Sequence, residues 1–142
     1  MKQYYAVIDT NVLVAAHLSQ HDDSAVVKVF NKLSNSEIVP LYSNEILKEY
    51  KDVLSRKKFS FSSEIISYTL SLIMNKGIQV DPKPSGIKLF DEKDLVFYEI
   101  VLEKKDEGAY LITGNKKHFP NDPVIVTASE FLEIIEKENN PN

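Results

Sequence analysis

The start of the chain carries a continuously apolar segment that ends on a carboxylate. Residues 5–8 read Tyr-Ala-Val-Ile, without the alternation of a half-exposed strand, and Asp9 follows them. A strand buried on both faces is typical of the centre of a parallel sheet. Ligands of such sheets bind beyond the carboxyl ends of the strands. Since Asp is also an ordinary helix-capping residue, Asp9 is either a site residue or a cap.

Length and composition limit what the chain can be. At 142 residues we expect a single domain over residues 1–142 that buries roughly 70% of its unfolded surface. The chain contains no Cys, which excludes disulfides, thiolate catalysis and Cys-based zinc sites. Residues 1–3 lead straight into the first strand, which is too short for a signal peptide or a membrane span. We therefore expect a soluble, cytoplasmic protein.

Strand-like and helix-like segments alternate along the whole chain. The apolar runs predict strands at residues 5–8, 37–42, 78–80, 109–113 and 124–126, and helical spacing predicts helices that end near residues 18, 33, 54, 76, 104 and 138. Such alternation is typical of a three-layer α/β sandwich around a mainly parallel sheet of about five strands. Two details are also predicted: Pro40 lies on an edge of the sheet, and Gly77 ends its helix in the left-handed conformation.

Three carboxylates stand where a strand or loop gives way to a helix, namely Asp9, Glu45 and Asp94. The junctions after parallel strands face one edge of a wound sheet, so these side chains can converge. Carboxylates held together repel one another, and a hard cation such as Mg²⁺ or Mn²⁺ is the usual compensation. For each acid alone, stabilisation of a helix N-terminus is an equally ordinary role.

A fourth junction adds a hydroxyl, an amide and an ammonium group at the same edge. The apolar strand at 109–112 is followed by Thr113, Gly114, Asn115 and Lys116. The Asn115 carbonyl oxygen could bind a metal or hold an attacking water. Asn115 could equally occupy a left-handed turn position.

Four segments together resemble the ordered motifs of PIN-domain ribonucleases. They are Asp9-Thr10-Asn11-Val12, residues 43–50 around Glu45, residues 91–94 ending in Asp94, and residues 113–120 beginning with Thr113. The chain is most similar to the bacterial and archaeal branch assigned as toxins of toxin–antitoxin systems. The resemblance extends over nearly the whole chain, to the closing strand and helix at residues 124–132.

The resemblance implies a Mg²⁺- or Mn²⁺-dependent endoribonuclease of the hydrolase class. Its metal-binding, catalytic acids would be Asp9, Glu45 and Asp94, with Asn11 and Thr113 as supporting polar groups. Asn115 stands where many members have a fourth acid, and Leu95 follows Asp94 where close relatives often have another Asp. Because the fourth acid is missing, we expect one metal ion rather than two. We expect the side-chain amide of Asn115 to take its place in the catalytic site.

The resemblance also implies partners, an RNA substrate and a small antitoxin protein, while a homodimer is left open by the sequence. The net charge is −4, so attraction of RNA must be local. Lys116, Lys117 and His118, next to the site in sequence, are the predicted phosphate contacts.

The same residues fit two other functions less well. A phosphoacceptor receiver domain needs a second isolated Asp at a middle strand end, which the chain supplies poorly. A haloacid-dehalogenase-type phosphatase needs Asp where Asn11 stands. The alternative that stays open is a catalytically weak PIN module that binds RNA or a protein partner.

Overall fold

Five parallel strands form the centre of the molecule in a computed structural model, which describes residues 2–89 and 91–140. The strands are β1 Tyr4–Ile8, β2 Ile38–Tyr42, β3 Ile78–Gln79, β4 Tyr110–Ile112 and β5 Ile125–Val126. Their order across the sheet is β3-β2-β1-β4-β5. The apolar strand that opens the chain is therefore the central one, as predicted.

Six α-helices connect and flank the strands in this part of the chain. They are α1 Thr10–Leu18, α2 Ala25–Ser34, α3 Asn44–Leu54, α4 Ser63–Lys76, α5 Leu95–Lys104 and α6 Ala128–Asn139. The α/β fold class and the five-stranded sheet are confirmed. The longest described helix, α4, has 14 residues, and none of those described is long and apolar enough to cross a membrane.

The register of the sheet brings the ends of β1 and β4 side by side. Ile8 pairs with Ile112, and the ladder continues one residue further, where the Asp9 N–H donates to the Ile112 carbonyl oxygen at 2.9 Å. Thr113 extends β4 in the same way, because its N–H donates to the Val126 carbonyl oxygen at 2.9 Å. The residues that follow these strands are thus fixed by backbone hydrogen bonds at one edge of the sheet.

The predicted edge position of Pro40 is wrong, because β2 lies between β1 and β3. Pro40 pairs with Ala6 of β1, while β3 pairs with Leu41 and Tyr42, beyond the proline. The outer strand therefore begins after Pro40, and the missing N–H removes no hydrogen bond to it.

The predicted left-handed cap at Gly77 is also wrong. Gly77 has φ −101° and ψ −177°, an extended conformation open to any residue. Space rather than conformation requires glycine there, because an added Cβ would meet the carbonyl oxygens of Pro40 and Ile73. The end of α4 packs directly against the backbone of β2.

We expect Gly77→Ala to lower the free energy of unfolding by about 1–3 kcal/mol, the usual cost of overpacking a filled site. Both obstructing atoms belong to the backbone, so no side chain can rotate away. Urea unfolding followed by circular dichroism measures the change. Ser71→Ala, at an exposed position of the same helix, should change stability by no more than about 0.5 kcal/mol. Equal stability of both variants would show that the backbone contact at Gly77 relaxes freely.

Candidate active site

Two of the predicted acids begin helices without capping them. Asp9 is the residue before α1 and Asp94 the residue before α5, and neither side chain makes a capping hydrogen bond. The four other α-helices are capped by hydroxyl side chains, those of Ser24, Ser43, Ser62 and Thr127. The ordinary capping role is therefore filled elsewhere by Ser and Thr, and it does not account for Asp9 or Asp94.

The Asp9 carboxylate is buried, with 6% of the residue exposed, and a buried threonine holds it in place. The Thr113 hydroxyl donates to Asp9 Oδ2 at 2.7 Å. The same hydroxyl oxygen accepts from the Asn115 N–H at 3.0 Å, so its proton is directed at Asp9. Thr113, predicted as a supporting group, thus connects the end of β4 to the acid after β1.

Asn11 forms a second link between the two junctions. Its Oδ1 accepts from the Gly114 N–H at 3.1 Å, and its Nδ2 lies 3.4 Å from Asp9 Oδ2. Because the backbone N–H can only donate, the amide orientation is fixed and the NH₂ group faces the carboxylate. Asn11 therefore orients Asp9, and its supporting role in catalysis stays a prediction.

Burial and a neighbouring charge both change the pKa of Asp9. Burial raises the pKa of its carboxyl group above the usual range, the Thr113 hydrogen bond opposes this, and the Asp94 charge raises it further. The structure thus brings Asp9 and Asp94 close enough for their charges to interact. Burial and the Asp94 charge therefore oppose ionisation of Asp9 in the folded protein, and the Thr113 hydrogen bond favours it.

Asp94 is mostly buried and lies against His118. The His118 Nδ1 atom is 3.2 Å from Asp94 Oδ2, yet this oxygen has no aligned hydrogen bond from any described residue. The Asn115 side-chain amide contacts the other ring nitrogen, Nε2, at 2.8 Å. Burial and the Asp91 charge raise the pKa of Asp94, and His118 opposes them. The imidazole of His118 therefore lies between Asn115 and Asp94.

A further acid, Glu49, lies beside this pair, although the sequence prediction chose Glu45. The Thr10 hydroxyl donates to Glu49 Oε2 at 2.7 Å. Burial raises the pKa of Glu49, Thr10 opposes this, and the Asp9 charge raises it again. The next residue, Tyr50, donates its hydroxyl hydrogen bond to the Ile8 carbonyl oxygen, which anchors this part of α3 to the end of β1.

Glu45 occupies the same face of α3 one turn earlier, but it is exposed. It lines an open groove with Glu49, Glu92 and Val96, and the described residues show no contact between Glu45 and the Asp9–Asp94 pair. The signal for Glu49 was present in the sequence, since residues four apart share a helix face. A helix that directs Glu45 towards the site edge also directs Glu49 there.

The two predicted RNA-contacting lysines differ in their surroundings. Lys116 Nζ lies 3.0 and 3.2 Å from the two carboxylate oxygens of Glu130 on α6. Lys117 is exposed and is not in an ion pair with any described residue. Of the two, Lys117 is the one whose charge is available to a phosphate.

The acidic and imidazole side chains of the site can be compared with what a divalent cation requires of its ligands. In the described ranges, no three Asp, Glu or His side chains lie close enough together to hold a metal ion. Mg²⁺ commonly needs only one or two protein carboxylates, with water completing its shell. Asp9 and Asp94 supply two carboxylates whose charges interact, and Asp94 Oδ2 is a buried oxygen with His118 Nδ1 at 3.2 Å.

Comparison with known families is consistent with this geometry. A family model described as PIN domain matches residues 5–117, from the first strand to the turn after β4. The chain belongs to the PIN domain family. PIN domains are generally nucleases that bind nucleic acid and use divalent metals. No curated protein and no solved structure matches the chain.

Proposed function

We propose that this PIN domain is a Mg²⁺- or Mn²⁺-dependent endoribonuclease that hydrolyses phosphodiester bonds of RNA with one bound ion. The observation that carries the proposal is the pair Asp9 and Asp94. Each begins a helix without capping it, and the charge of Asp94 raises the pKa of Asp9. The two carboxylates would hold a divalent cation, which would relieve that repulsion.

The proposed roles follow from the contacts of each residue. A bound cation supplies an activated water and neutralises charge that develops on the phosphate. Thr113 and Asn11 hold Asp9 in position, and Glu49, fixed by Thr10, accepts a proton or hydrogen bond from water at the site.

Glu45 and Asn115 remain candidates with weaker structural support. Glu45 is exposed, and the Asn115 amide is engaged by His118. Lys117, rather than the ion-paired Lys116, is the proposed phosphate contact of the turn after β4.

Cleavage of end-labelled single-stranded RNA tests the proposal. We expect internal cleavage in Mg²⁺ or Mn²⁺, and its complete loss in EDTA with recovery when the metal is restored in excess. Products should be separated on a denaturing gel, so that internal cuts are distinguished from trimming at the ends. Cleavage that persists in EDTA would contradict a metal-dependent mechanism.

A catalytically weak PIN module that binds RNA or protein is the second candidate. It is favoured by the neutral Asn115 and by the finding that no three metal-binding side chains cluster in the part of the chain that is described. RNA binding without cleavage, in both metals and at several pH values, would support this candidate over the nuclease.

We also propose that the chain is the toxin of a toxin–antitoxin pair that acts in the cytoplasm. The resemblance of its four motifs to toxin-type relatives supports this role. A short neighbouring gene for a DNA-binding, partly disordered protein is expected beside its own. Expression of the chain alone should arrest growth, and co-expression of that neighbour should restore it. Growth unaffected by expression would count against the toxin role while leaving the nuclease proposal intact.

A further inference from the structure

An open groove of about 320 Å³ runs along α3 beside the acidic site. One wall is a single face of α3 and the turn after it, with Glu45, Glu49, Asp52 and Arg56 at helical spacing. The opposite wall is the segment 92–96, which includes the 3₁₀ turn Glu92–Asp94. The groove therefore lies between the helix that carries Glu49 and the segment that carries Asp94.

The groove is continuous with the site through one side chain. Glu49 lines the groove and also accepts the hydrogen bond of Thr10, the neighbour of Asp9. Arg56 lies two residues beyond the end of α3 at Leu54, on the order of 10 Å from Glu49, since the α-helical residues between them rise 1.5 Å each. A ligand in the groove would therefore meet the acids at one end and Arg56 at the other.

The chemistry of the walls suits a single nucleic-acid strand. Lys48, Arg56 and Lys93 place cationic groups along the groove, and Val53 and Val96 give it an apolar surface. Arg56 is the only Arg of the chain; it is exposed, and no ion pair among the described residues includes it. A guanidinium in that position can bind a phosphate through two donors, while apolar side chains contact sugars or bases.

The net charge of the groove makes the binding of a nucleic-acid strand there depend on the metal. Four carboxylates and three cationic side chains line the groove, so it has one net negative charge by itself. Asp9 and Asp94 add two negative charges beside the Glu49 end, and a divalent cation held there would offset those two charges and so lower the repulsion of phosphates.

We propose that this groove carries the RNA strand on one side of the scissile phosphate, with Arg56 binding a neighbouring backbone phosphate. The inference rests on the proposed nuclease function and specifies where its substrate lies. It assigns Lys48, Arg56 and Lys93 to substrate binding, a role separate from the turn that contains Lys117.

Protection by RNA of a cysteine introduced into the groove tests the proposed path without a measurement of RNA cleavage. Because the chain contains no Cys, Asp52→Cys introduces a unique thiol in the groove, and Lys51→Cys introduces one at a neighbouring exposed position outside it. With excess single-stranded RNA in Mg²⁺, at times when a gel shows the RNA intact, we expect RNA to slow modification at position 52 several-fold. Modification at position 51 should be unchanged, and EDTA should abolish the protection.

Arg56→Ala supplies the second measurement, with Lys57→Ala as the neighbouring control outside the groove. We expect Arg56→Ala to weaken RNA binding about tenfold, the scale of one hydrogen bond to a charged group. The slope of log affinity against log salt should become shallower by about 0.7. The KM for cleavage should rise while kcat changes little, and Lys57→Ala should resemble the parent.

The outcomes separate this inference from the function on which it rests. If the parent cleaves RNA but neither thiol is protected and Arg56→Ala binds like the parent, the groove is not the path and the nuclease proposal stands. If the parent neither binds nor cleaves RNA with either metal, both proposals are wrong.

Discussion

Asp9→Asn is expected to lower the rate of RNA cleavage by a factor of about 10² to 10³, the loss that follows removal of a principal electrostatic contact to the transition state. Asn keeps the size of the side chain and an oxygen that can accept the hydrogen bond from Thr113. What it removes is the negative charge that would hold the cation. Single-turnover cleavage of the same labelled RNA, at saturating metal, measures the effect.

The same substitution should leave the metal-free fold at least as stable. The pKa of Asp9 is raised by burial and by the Asp94 charge, so its ionised form is disfavoured in the folded state. At neutral pH a neutral isostere removes that unfavourable charge. Thermal melts in EDTA should therefore show Asp9→Asn melting no lower than the parent, and Asp94→Asn should behave in the same way.

Asp106→Asn is the matched control, because Asp106 is an exposed acid in the 3₁₀ turn Lys105–Glu107 that precedes β4. It should alter neither cleavage nor stability. If Asp9→Asn instead unfolds the protein in EDTA, the carboxylate has a structural role and its assignment to the active site is wrong.

The features that the sequence predicted best are those set by local chemistry. Continuous apolar runs identified β1 and β4, because burial on both faces leaves no polar alternation. Ser24, Ser43 and the capping box of Thr127 marked helix starts, because hydroxyl caps act within three residues of sequence. The convergence of Asp9 with Thr113 followed from parallel pairing alone, and the hydrogen bond between them is consistent with it.

The features that the sequence did not predict depend on contacts between distant segments. Gly77 is required by the approach of α4 to β2, which no local conformational preference records. The position of His118 between Asp94 and Asn115 arises from the folding of the turn after β4 against α5. Two acids on one face of α3 cannot be ranked from spacing, because the difference between them lies in which end of the helix meets β1.

Glu49→Gln is expected to reduce cleavage about 10- to 100-fold, as is typical when a partner of a metal site is removed. Glu49 is partly buried, bonded to Thr10, and its pKa is raised by burial and by the Asp9 charge. The variant should also need more Mn²⁺ for half-maximal cleavage. Glu45→Gln is the matched variant one turn earlier, and its effect should be about twofold or less, because a solvent-exposed charge interacts weakly.

Metal titrations of both variants, run beside the parent, decide which acid of α3 serves the cation. A larger loss in Glu45→Gln would support the sequence prediction and would require α3 to bring its first turn inward when the metal binds. The structure supports the opposite order, because the Tyr50 hydroxyl fixes the second turn of α3 to the Ile8 carbonyl oxygen. That hydrogen bond holds Glu49 beside Asp9 before any ligand arrives, whereas Glu45 has no equivalent anchor among the residues described.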